Sequence, residues 1–248
     1  MDERLAQVET SSQRCPAARH NSDVRASTME TLEEARSKIF LEITTDDPDV
    51  RGEYLKRFEH ETKEFSEVMA RVMLNWLKEH SEAQRDEKRL QVFALVFMAV
   101  HLHVGSMKLL LSGNTVASGN LFRQTLETIA LALLCSGKEL DFLDRFNNGK
   151  YSTDKAIRDV LNLVDKLGLK RGGVQALKDG QDFYHKYSHI TKLTIGVAQS
   201  FSGEGIYVGA CFDEGKLEYY SKEVAGRLSL ARALNSFVEA VKANVAKW

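Results

Sequence analysis

The amino-acid sequence predicts an all-α fold, a helical bundle with two central buried helices and a small β-hairpin or ordered loop before its C-terminal helix. Three observations support this prediction. Apolar residues recur at alternating steps of three and four over long segments. Both prolines, Pro16 and Pro48, lie near the start of the chain, so the later helices lack the residue that most often interrupts them. Two successive segments are apolar on most faces, as central helices are.

The amino-acid composition indicates the number of domains and argues against one class of function, general nucleic-acid binding. The 248 residues are 43% hydrophobic and 28% charged, which suits one large globular domain. We expect residues 1–28 to be a flexible polar tail and residues 29–248 to form the helical bundle domain. The net charge of −1 gives no overall basic excess of the kind that general nucleic-acid binders carry, which leaves open only a local basic patch.

The cysteines and the first residues of the chain indicate its compartment. Three cysteines, odd in number and far apart, suit neither a disulfide framework nor a zinc-type pair. Residues 1–28 lack the apolar stretch of a secretory signal. We therefore expect a reducing, cytoplasmic location, and the sequence implies no cofactor.

Two amphipathic helices are predicted in the first part of the bundle domain. A short helix covers residues 29–43, and residues 44–48 break it. The following helix carries an apolar stripe at steps of three and four, which is typical of a bundle helix. The stripe consists of Leu55, Phe58, Thr62, Phe65, Met69, Val72 and Trp76.

The two central helices are predicted over residues 86–111 and 116–135, and the tight connection between them implies an antiparallel pair. Residues 92–100 are apolar all round, so we expect the first of these helices to have no solvent-facing side. Residues 90–107 contain no Asp, Glu, Lys or Arg and reach the length of a membrane span. Because two histidines and other polar residues interrupt this stretch, we interpret it as a buried core helix and expect no membrane association.

Shorter elements are predicted in the second half of the chain. Helices cover residues 138–146, 153–167 and 174–190. Residues 194–200 and 206–212 favour β-structure and flank a glycine-rich turn, which indicates a β-hairpin or an ordered loop. The last helix, residues 217–246, has a packing stripe made of Val224, Leu228, Ala231, Leu234, Val238, Val241 and Val245.

Arg123 and Glu127 form the first candidate site. They lie four residues apart and therefore share a face of a helix that we predict to be central. Buried charges are costly unless they are paired and hydrogen-bonded, so other groups must compensate these two. Two interpretations stay open: an anion- or substrate-contacting arginine that Glu127 orients, and a structural ion pair that sets the helix register.

His185 and His189 form the second candidate site. Their spacing of four places them on one face of a helix, which suits two ligands of one metal ion. Glu127 or Asp182 would have to supply a third ligand. We recognise no second His/Glu metal-binding motif, so no metal is expected.

The residues beside these histidines are polar as well. Tyr184, Tyr187 and Ser188 favour a hydrogen-bonded core cluster, and they are also the candidate ligand-binding residues. A further alternative makes His185 or His189 a general base.

Three short stretches occur together along the chain. They are Arg-x-x-x-Glu within residues 122–128, Tyr-x-x-x-Ser-x over residues 184–189, and Gly-Ile-Tyr-Val-Gly-x-x-Phe-Asp over residues 205–213. Together they resemble a family of mostly bacterial helical proteins of unknown function, which is similar to the HEPN (higher eukaryotes and prokaryotes nucleotide-binding) bundles. The resemblance spans residues 90–240. The positions that match the recurring polar residues of that family are Arg123, Glu127 and His189.

The resemblance implies a helical bundle that forms a homodimer. Some HEPN-like proteins are metal-independent ribonucleases in toxin–antitoxin and phage-defence systems, and they use an arginine that precedes a histidine by a short spacer. Here Arg14 and His20 fit that spacing, but both lie in the predicted tail. No arginine stands at the right distance before His185 or His189.

Three functional hypotheses follow. We favour a HEPN-like dimerising interaction or ligand-sensing module of a defence or stress system, with a nucleotide or RNA as its ligand. The second hypothesis is a ribonuclease or phosphodiester hydrolase in which Arg123 contacts phosphate and His185 or His189 acts as acid or base, with Glu127 completing the set. The third is a metal-binding helical bundle. The near-neutral charge and the incomplete catalytic set favour the first.

Overall fold

The computed structural model describes residues 31–83, 86–203 and 205–248. The predicted tail, residues 1–28, lies outside the described residues. Within them the chain is an all-α bundle, as predicted, and it contains no β-sheet. The α-helices are α1 (Leu32–Thr44), α2 (Pro48–Ala83), α3 (Glu87–Leu111), α4 (Thr115–Ser136), α5 (Phe142–Asn147), α6 (Ala156–Asn162), α7 (Arg171–Tyr184), α8 (Lys192–Ala198) and α9 (Leu217–Val245).

Helices α3 and α4 form the antiparallel central pair that the sequence predicts. Gly113 joins them in the left-handed region (φ 78°), where an added Cβ would meet the backbone of another loop. The two helices approach closely through small side chains, and the Ser118 hydroxyl donates to the Ser106 carbonyl at 2.5 Å. Helices α2 and α9 flank this pair, and α6 and α7 cover α4 from the other side.

The two central helices are not buried to the same extent. From Thr125 to Ser136, α4 is buried at all but one position. By contrast, α3 buries one side only, and Phe97, Met98 and Val104 on its outer side are 37%, 46% and 45% exposed. The expectation that this helix has no solvent-facing side is therefore wrong. An apolar composition all round predicts burial only where neighbours exist on every side, and no described helix covers the outer side of α3.

The flanking helices follow their predicted stripes with small differences. The α9 stripe is buried throughout. In α2 the stripe begins at Val50 and Tyr54, whereas Leu55 is 38% exposed. The backbone leaves helical geometry at Phe58 (φ −123°, ψ 28°), and this kink rotates the first turns relative to the rest of the helix.

Several predicted elements in the second half of the chain are shorter than expected or of another kind. The predicted helix over 138–146 is divided at Asp141, which adopts φ 55°. The helix over 174–190 ends as α7, and a single 3-10 turn, His185–Ser188, follows it. Residues 194–200 form most of α8 instead of a strand, because Thr191 caps that helix by accepting a hydrogen bond from the Thr194 backbone.

The segment before α9 is an ordered loop and not a β-hairpin. Its strand-like pairing consists of one isolated bridge between Gln199 and Ile206. The buried Asp213 carboxylate organises the loop, since it accepts hydrogen bonds from the backbone N–H groups of Phe201, Ser202 and Gly215. Of the two predicted alternatives, the ordered loop is the one that forms.

Candidate functional site

The Arg123 cluster, which consists of Asn120, Arg123, Glu127, Gln181 and Ser188, joins α4 to α7 and to the 3-10 turn. Arg123 Nε donates to Glu127 Oε1 at 2.8 Å, and a terminal guanidinium nitrogen donates to Ser188 Oγ at 2.6 Å. The two charged side chains are 19% and 10% exposed, so the pair lies at the edge of the core with its guanidinium partly open to solvent. The sequence-predicted ion pair is therefore real.

The amide and hydroxyl groups of this cluster hold the ion pair in one orientation. Gln181 Nε2 donates to Glu127 Oε1 at 3.0 Å, and Ser188 Oγ donates to Asn120 Oδ1 at 2.9 Å. The Gln181 amide of α7 thus satisfies the Glu127 carboxylate, and the Asn120 amide oxygen of α4 accepts the Ser188 hydroxyl. A half-buried ion pair requires such compensation. Among the described residues, Arg123 uses two of its five N–H donors within the protein.

The two histidines are placed outside the Arg123 cluster. His185 and His189 are exposed, and their rings contact each other with centroids 4.7 Å apart. Helix α7 ends at Tyr184, a 3-10 turn covers His185–Ser188 and His189 is extended, but the turn still brings the two rings together. Neither imidazole bonds to Arg123 or Glu127, so the structure does not assemble the four residues into one set.

Tyr184 and Tyr187 belong to a second and deeper constellation. We call it the buried ionic network, and it is centred on Glu223 and Arg227 of α9. Tyr184 donates to Glu223 Oε2 at 3.0 Å and Tyr187 donates to Glu223 Oε1 at 2.9 Å. Burial, together with the nearby carboxylate of Glu223, raises the pKa of the Tyr187 hydroxyl above its ordinary value. Both hydroxyls therefore stay protonated and donate to the Glu223 carboxylate.

Arg227 is fully buried, and both terminal nitrogens of its guanidinium are hydrogen-bonded, whereas its Nε has no hydrogen-bond partner among the described residues. It donates to Glu223 Oε2 at 2.7 Å and to Ser118 Oγ at 2.6 Å, and the Phe122 ring lies 4.9 Å away. Burial by itself lowers the pKa of Arg227, but Tyr184 and the Glu223 carboxylate raise the pKa, and the net shift is upward. The guanidinium therefore stays charged inside the core.

His103 completes the buried ionic network from α3. Its Nε2–H donates to the Arg227 carbonyl at 3.0 Å, and the ring is 0% exposed. Burial and the neighbouring Arg227 guanidinium together lower the pKa of His103 to about 3. His103 is therefore a neutral core side chain, because α3 turns it towards α9.

Sequence reasoning missed Glu223 and Arg227, although a signal for them exists. They are four residues apart, in the favourable order of acid before base, and they directly precede Val224 and Leu228 of the predicted packing stripe. An ionic pair that borders such a stripe lies at least partly inside the bundle.

The Arg123 cluster and the buried ionic network both include residues of α4 and of the range 184–188. The buried ionic network therefore supports the backbone that carries Ser188.

The described residues do not assemble a metal site or a complete acid–base set. No group of three or more His, Cys, Asp or Glu side chains lies close enough together to hold a metal ion among residues 31–83, 86–203 and 205–248.

Helix α3 has the length and mean hydropathy of a membrane span, but core helices of soluble proteins pass the same test. Its buried side carries His103 and Ser106, which contact protein.

Gly119 determines how closely α4 approaches the turn that carries Ser188. A Cβ at this position would lie 2.7 Å from the ring of Tyr187. Gly119→Ala is therefore expected to lower the free energy of unfolding by about 1–3 kcal/mol through overpacking, as urea denaturation would measure. Gly52→Ala is the matched control, because its Cβ meets nothing within 4 Å and should stabilise α2. Equal effects of the two substitutions would show that this contact is not tight.

No protein-family model, curated protein or solved structure matches this chain. The resemblance to HEPN-like bundles therefore stays a prediction that rests on the three short stretches.

Proposed function

We propose that this chain is a HEPN-like, non-enzymatic helical module that senses an anionic ligand, the phosphate of a nucleotide or of an RNA, at the Arg123 cluster. The observation that carries the proposal is the geometry of Arg123. Its guanidinium is held on two sides by Glu127 and Ser188 while remaining partly exposed. A planar guanidinium with fixed orientation and free donors suits a phosphate group.

The end of α7 and the residues after it, 183–198, carry positive charge and hydrogen-bond donors close in sequence to Ser188. Residues 183–198 contain no Asp or Glu, whereas Lys186 and Lys192 carry charge, and His185 and His189 present exposed imidazoles. Ser188, which bonds to Arg123, lies in the middle of this segment. The segment thus supplies the local basic patch that the near-neutral overall charge leaves open.

The same segment carries exposed apolar groups that suit a base. Phe183 is 41% exposed with Lys186 Nζ 5.4 Å from its ring centroid, and Ile190 is 88% exposed. An aromatic face next to cationic groups is the usual way in which proteins hold an unpaired base and its phosphate. This combination favours a nucleotide or single-stranded RNA over a simple carboxylate ligand.

The enzymatic alternative receives less support from the geometry. A phosphodiester hydrolase needs an acid or base within hydrogen-bonding reach of the reacting oxygen, near the group that stabilises charge. Around Arg123 the described contacts are a carboxylate already engaged in the ion pair, two amides and one hydroxyl. We therefore assign Arg123 to binding and propose no reaction.

A charge-neutral double substitution tests this proposal. Arg123→Gln combined with Glu127→Gln removes the guanidinium, keeps amide hydrogen bonding and leaves the net charge unchanged. A fluorescein-labelled single-stranded RNA of ten nucleotides and ATP are titrated separately by fluorescence anisotropy and calorimetry. We expect the double variant to bind the preferred ligand at least tenfold more weakly, as the loss of a charged hydrogen-bond pair predicts.

The controls distinguish binding at the Arg123 cluster from nonspecific electrostatic binding to the protein surface. Arg232→Gln removes a cation that pairs with Glu64 on the surface, and it should leave the affinity within twofold. The wild-type affinity should fall as salt rises, because phosphate binding releases counterions. Absence of binding by the wild type would contradict the proposal, as would unchanged binding by the double variant. RNA cleavage that His189→Ala abolishes would favour the ribonuclease instead.

A further inference from the structure

A cavity of about 480 Å³ opens at the end of the bundle where α4 and α9 terminate. Three lysines line this cavity, and each comes from a different segment: Lys138 follows α4, Lys166 lies after α6 and Lys247 follows α9. All three residues are exposed, so the cavity is accessible from solvent. Its volume lies within the range of about 300–1,000 Å³ that small-molecule sites occupy.

The lysines give the cavity an excess of positive charge. Its lining sets three ammonium groups against one carboxylate, that of Glu139, which leaves a formal charge of +2. Among the described residues, the Lys138 and Lys166 side chains form no hydrogen bond or ion pair, and Lys247 Nζ has one partner, Asn244 Oδ1 at 3.4 Å. Unpaired like charges repel each other. Their convergence on one cavity therefore suits a site whose counter-ion is a ligand.

The helix ends around the cavity do not need these lysines as caps. Lysines that follow a helix commonly compensate its last carbonyl groups. Here Trp248 Nε1 donates to the Ser136 carbonyl at 2.8 Å, and Asn244 Nδ2 donates to the Leu167 carbonyl at 3.2 Å. An indole and an amide thus satisfy these two carbonyl groups, and the ammonium groups stay available to a ligand.

Trp248 supplies an apolar wall in a fixed position. Its indole is half-buried and is held by the bond to Ser136, while its main-chain oxygen accepts from a guanidinium nitrogen of Arg89 at 3.4 Å. The partly buried Leu140 lines the same cavity. A fixed aromatic face beside an aliphatic side chain suits a flat ring, because aromatic groups stack in offset or edge-on arrangements.

We propose that this cavity binds a small phosphate monoester that carries a flat ring. Each lysine presents a compact point charge, and three of them from three segments match the three terminal oxygens of a phosphate monoester. A planar carboxylate would instead suit the fork of a guanidinium. The ring then lies against Trp248. The cavity is about 20 Å further along α4 than Arg123, so this inference is independent of the ligand proposed there.

Titration of the full chain with 1-naphthyl phosphate tests this inference, with the Trp248 indole N–H observed in a ¹H–¹⁵N spectrum. The chain has two tryptophans, and Trp76, whose indole donates to the Phe93 carbonyl inside the core, is the internal reference. We expect the Trp248 signal to shift saturably. Inorganic phosphate lacks the ring and 1-naphthol lacks the charge, so each should bind at least about tenfold more weakly.

Substitution of two lysines tests the role of their charge. Lys138→Gln combined with Lys166→Gln should raise the dissociation constant of 1-naphthyl phosphate at least about tenfold. Lys138→Arg combined with Lys166→Arg keeps both charges and should stay within about threefold of wild type. The matched control, Lys56→Gln with Lys108→Gln, removes the same charge from exposed positions near the start of α2 and the end of α3. It should leave the dissociation constant within about twofold.

Thermal unfolding distinguishes a ligand site from a structural role of the lysines. Because Lys138 and Lys166 have no described partner, their double glutamine variant should unfold at the same temperature as the control variant or higher. A lower unfolding temperature would show that the lysines stabilise the helix ends and would overturn the proposal. It would also be overturned by a Trp248 signal that millimolar 1-naphthyl phosphate does not shift, by unchanged binding of the double glutamine variant, or by 1-naphthol that binds equally well.

Discussion

Glu223→Ala is expected to lower the free energy of unfolding by about 3–5 kcal/mol, because it leaves a charged guanidinium buried without its counter-ion. Arg227 is 0% exposed, and Glu223 also accepts the hydroxyls of Tyr184 and Tyr187. Removal of this carboxylate therefore leaves the Arg227 cation without its counter-ion and the Tyr184 hydroxyl without its acceptor, although Arg227 still donates to Ser118 Oγ. Denaturation by urea, followed by far-ultraviolet circular dichroism, measures the change.

The same helix supplies the matched control for this prediction. Glu218 pairs with Lys222 at the same spacing and in the same order, but both side chains are exposed. Glu218→Ala should change the free energy of unfolding by less than about 0.5 kcal/mol. The double variant Glu223→Leu, Arg227→Met should recover most of the loss, since apolar groups of similar size replace buried ions at little cost. A loss below 1 kcal/mol for Glu223→Ala would contradict the buried ionic network.

Acid should destabilise the protein well before its carboxylates titrate. His103 has a pKa of about 3 in the folded chain because burial and Arg227 disfavour its charged form. In the unfolded chain its pKa is near 6.5, so the unfolded state binds a proton first as the pH falls. The stabilisation is thus complete above pH 6.5 and is lost progressively down to about pH 3. Between pH 6.5 and pH 5 the loss should be about 2 kcal/mol.

His103→Gln separates this effect from other titrations. A glutamine amide can still donate to the Arg227 carbonyl, but it does not titrate. The variant should therefore show a nearly flat free energy of unfolding between pH 6.5 and pH 5, whereas the wild type declines. If both proteins lose stability in parallel over this range, the wild-type slope arises from other groups and His103 is not buried in its neutral form.

The bundle could be predicted because apolar periodicity reports burial directly. The buried stripe of α9 follows from apolar spacing and the burial of α4 from its apolar composition, since each buried turn must present apolar side chains to its neighbours. The exposed side of α3 could not be predicted in this way, because composition does not reveal which directions lack a neighbour. The helix α8 was missed because a local cap at Thr191 outweighed the β-propensity of the residues that follow.

The candidate site was predictable only where its partners are close in sequence. Arg123 and Glu127 share one helix face, so their pairing follows from spacing. Their contacts with Gln181 and Ser188 depend on how α7 crosses α4, which spacing does not encode. For the same reason the pairing of Tyr184 and Tyr187 with Glu223 in α9 became visible only in three dimensions.

The most direct test of the proposed ligand site observes the Arg123 guanidinium itself. Its Nε–H donates to Glu127 and is largely shielded from solvent, so it should give a resolved arginine side-chain signal in a ¹H–¹⁵N spectrum, assigned with Arg123→Lys. Titration with the ten-nucleotide RNA or with ATP should shift this signal saturably, while the fully buried Arg227 serves as an internal reference. Binding of either ligand with the Arg123 signal unmoved would contradict the account, and so would the absence of any shift up to millimolar ligand.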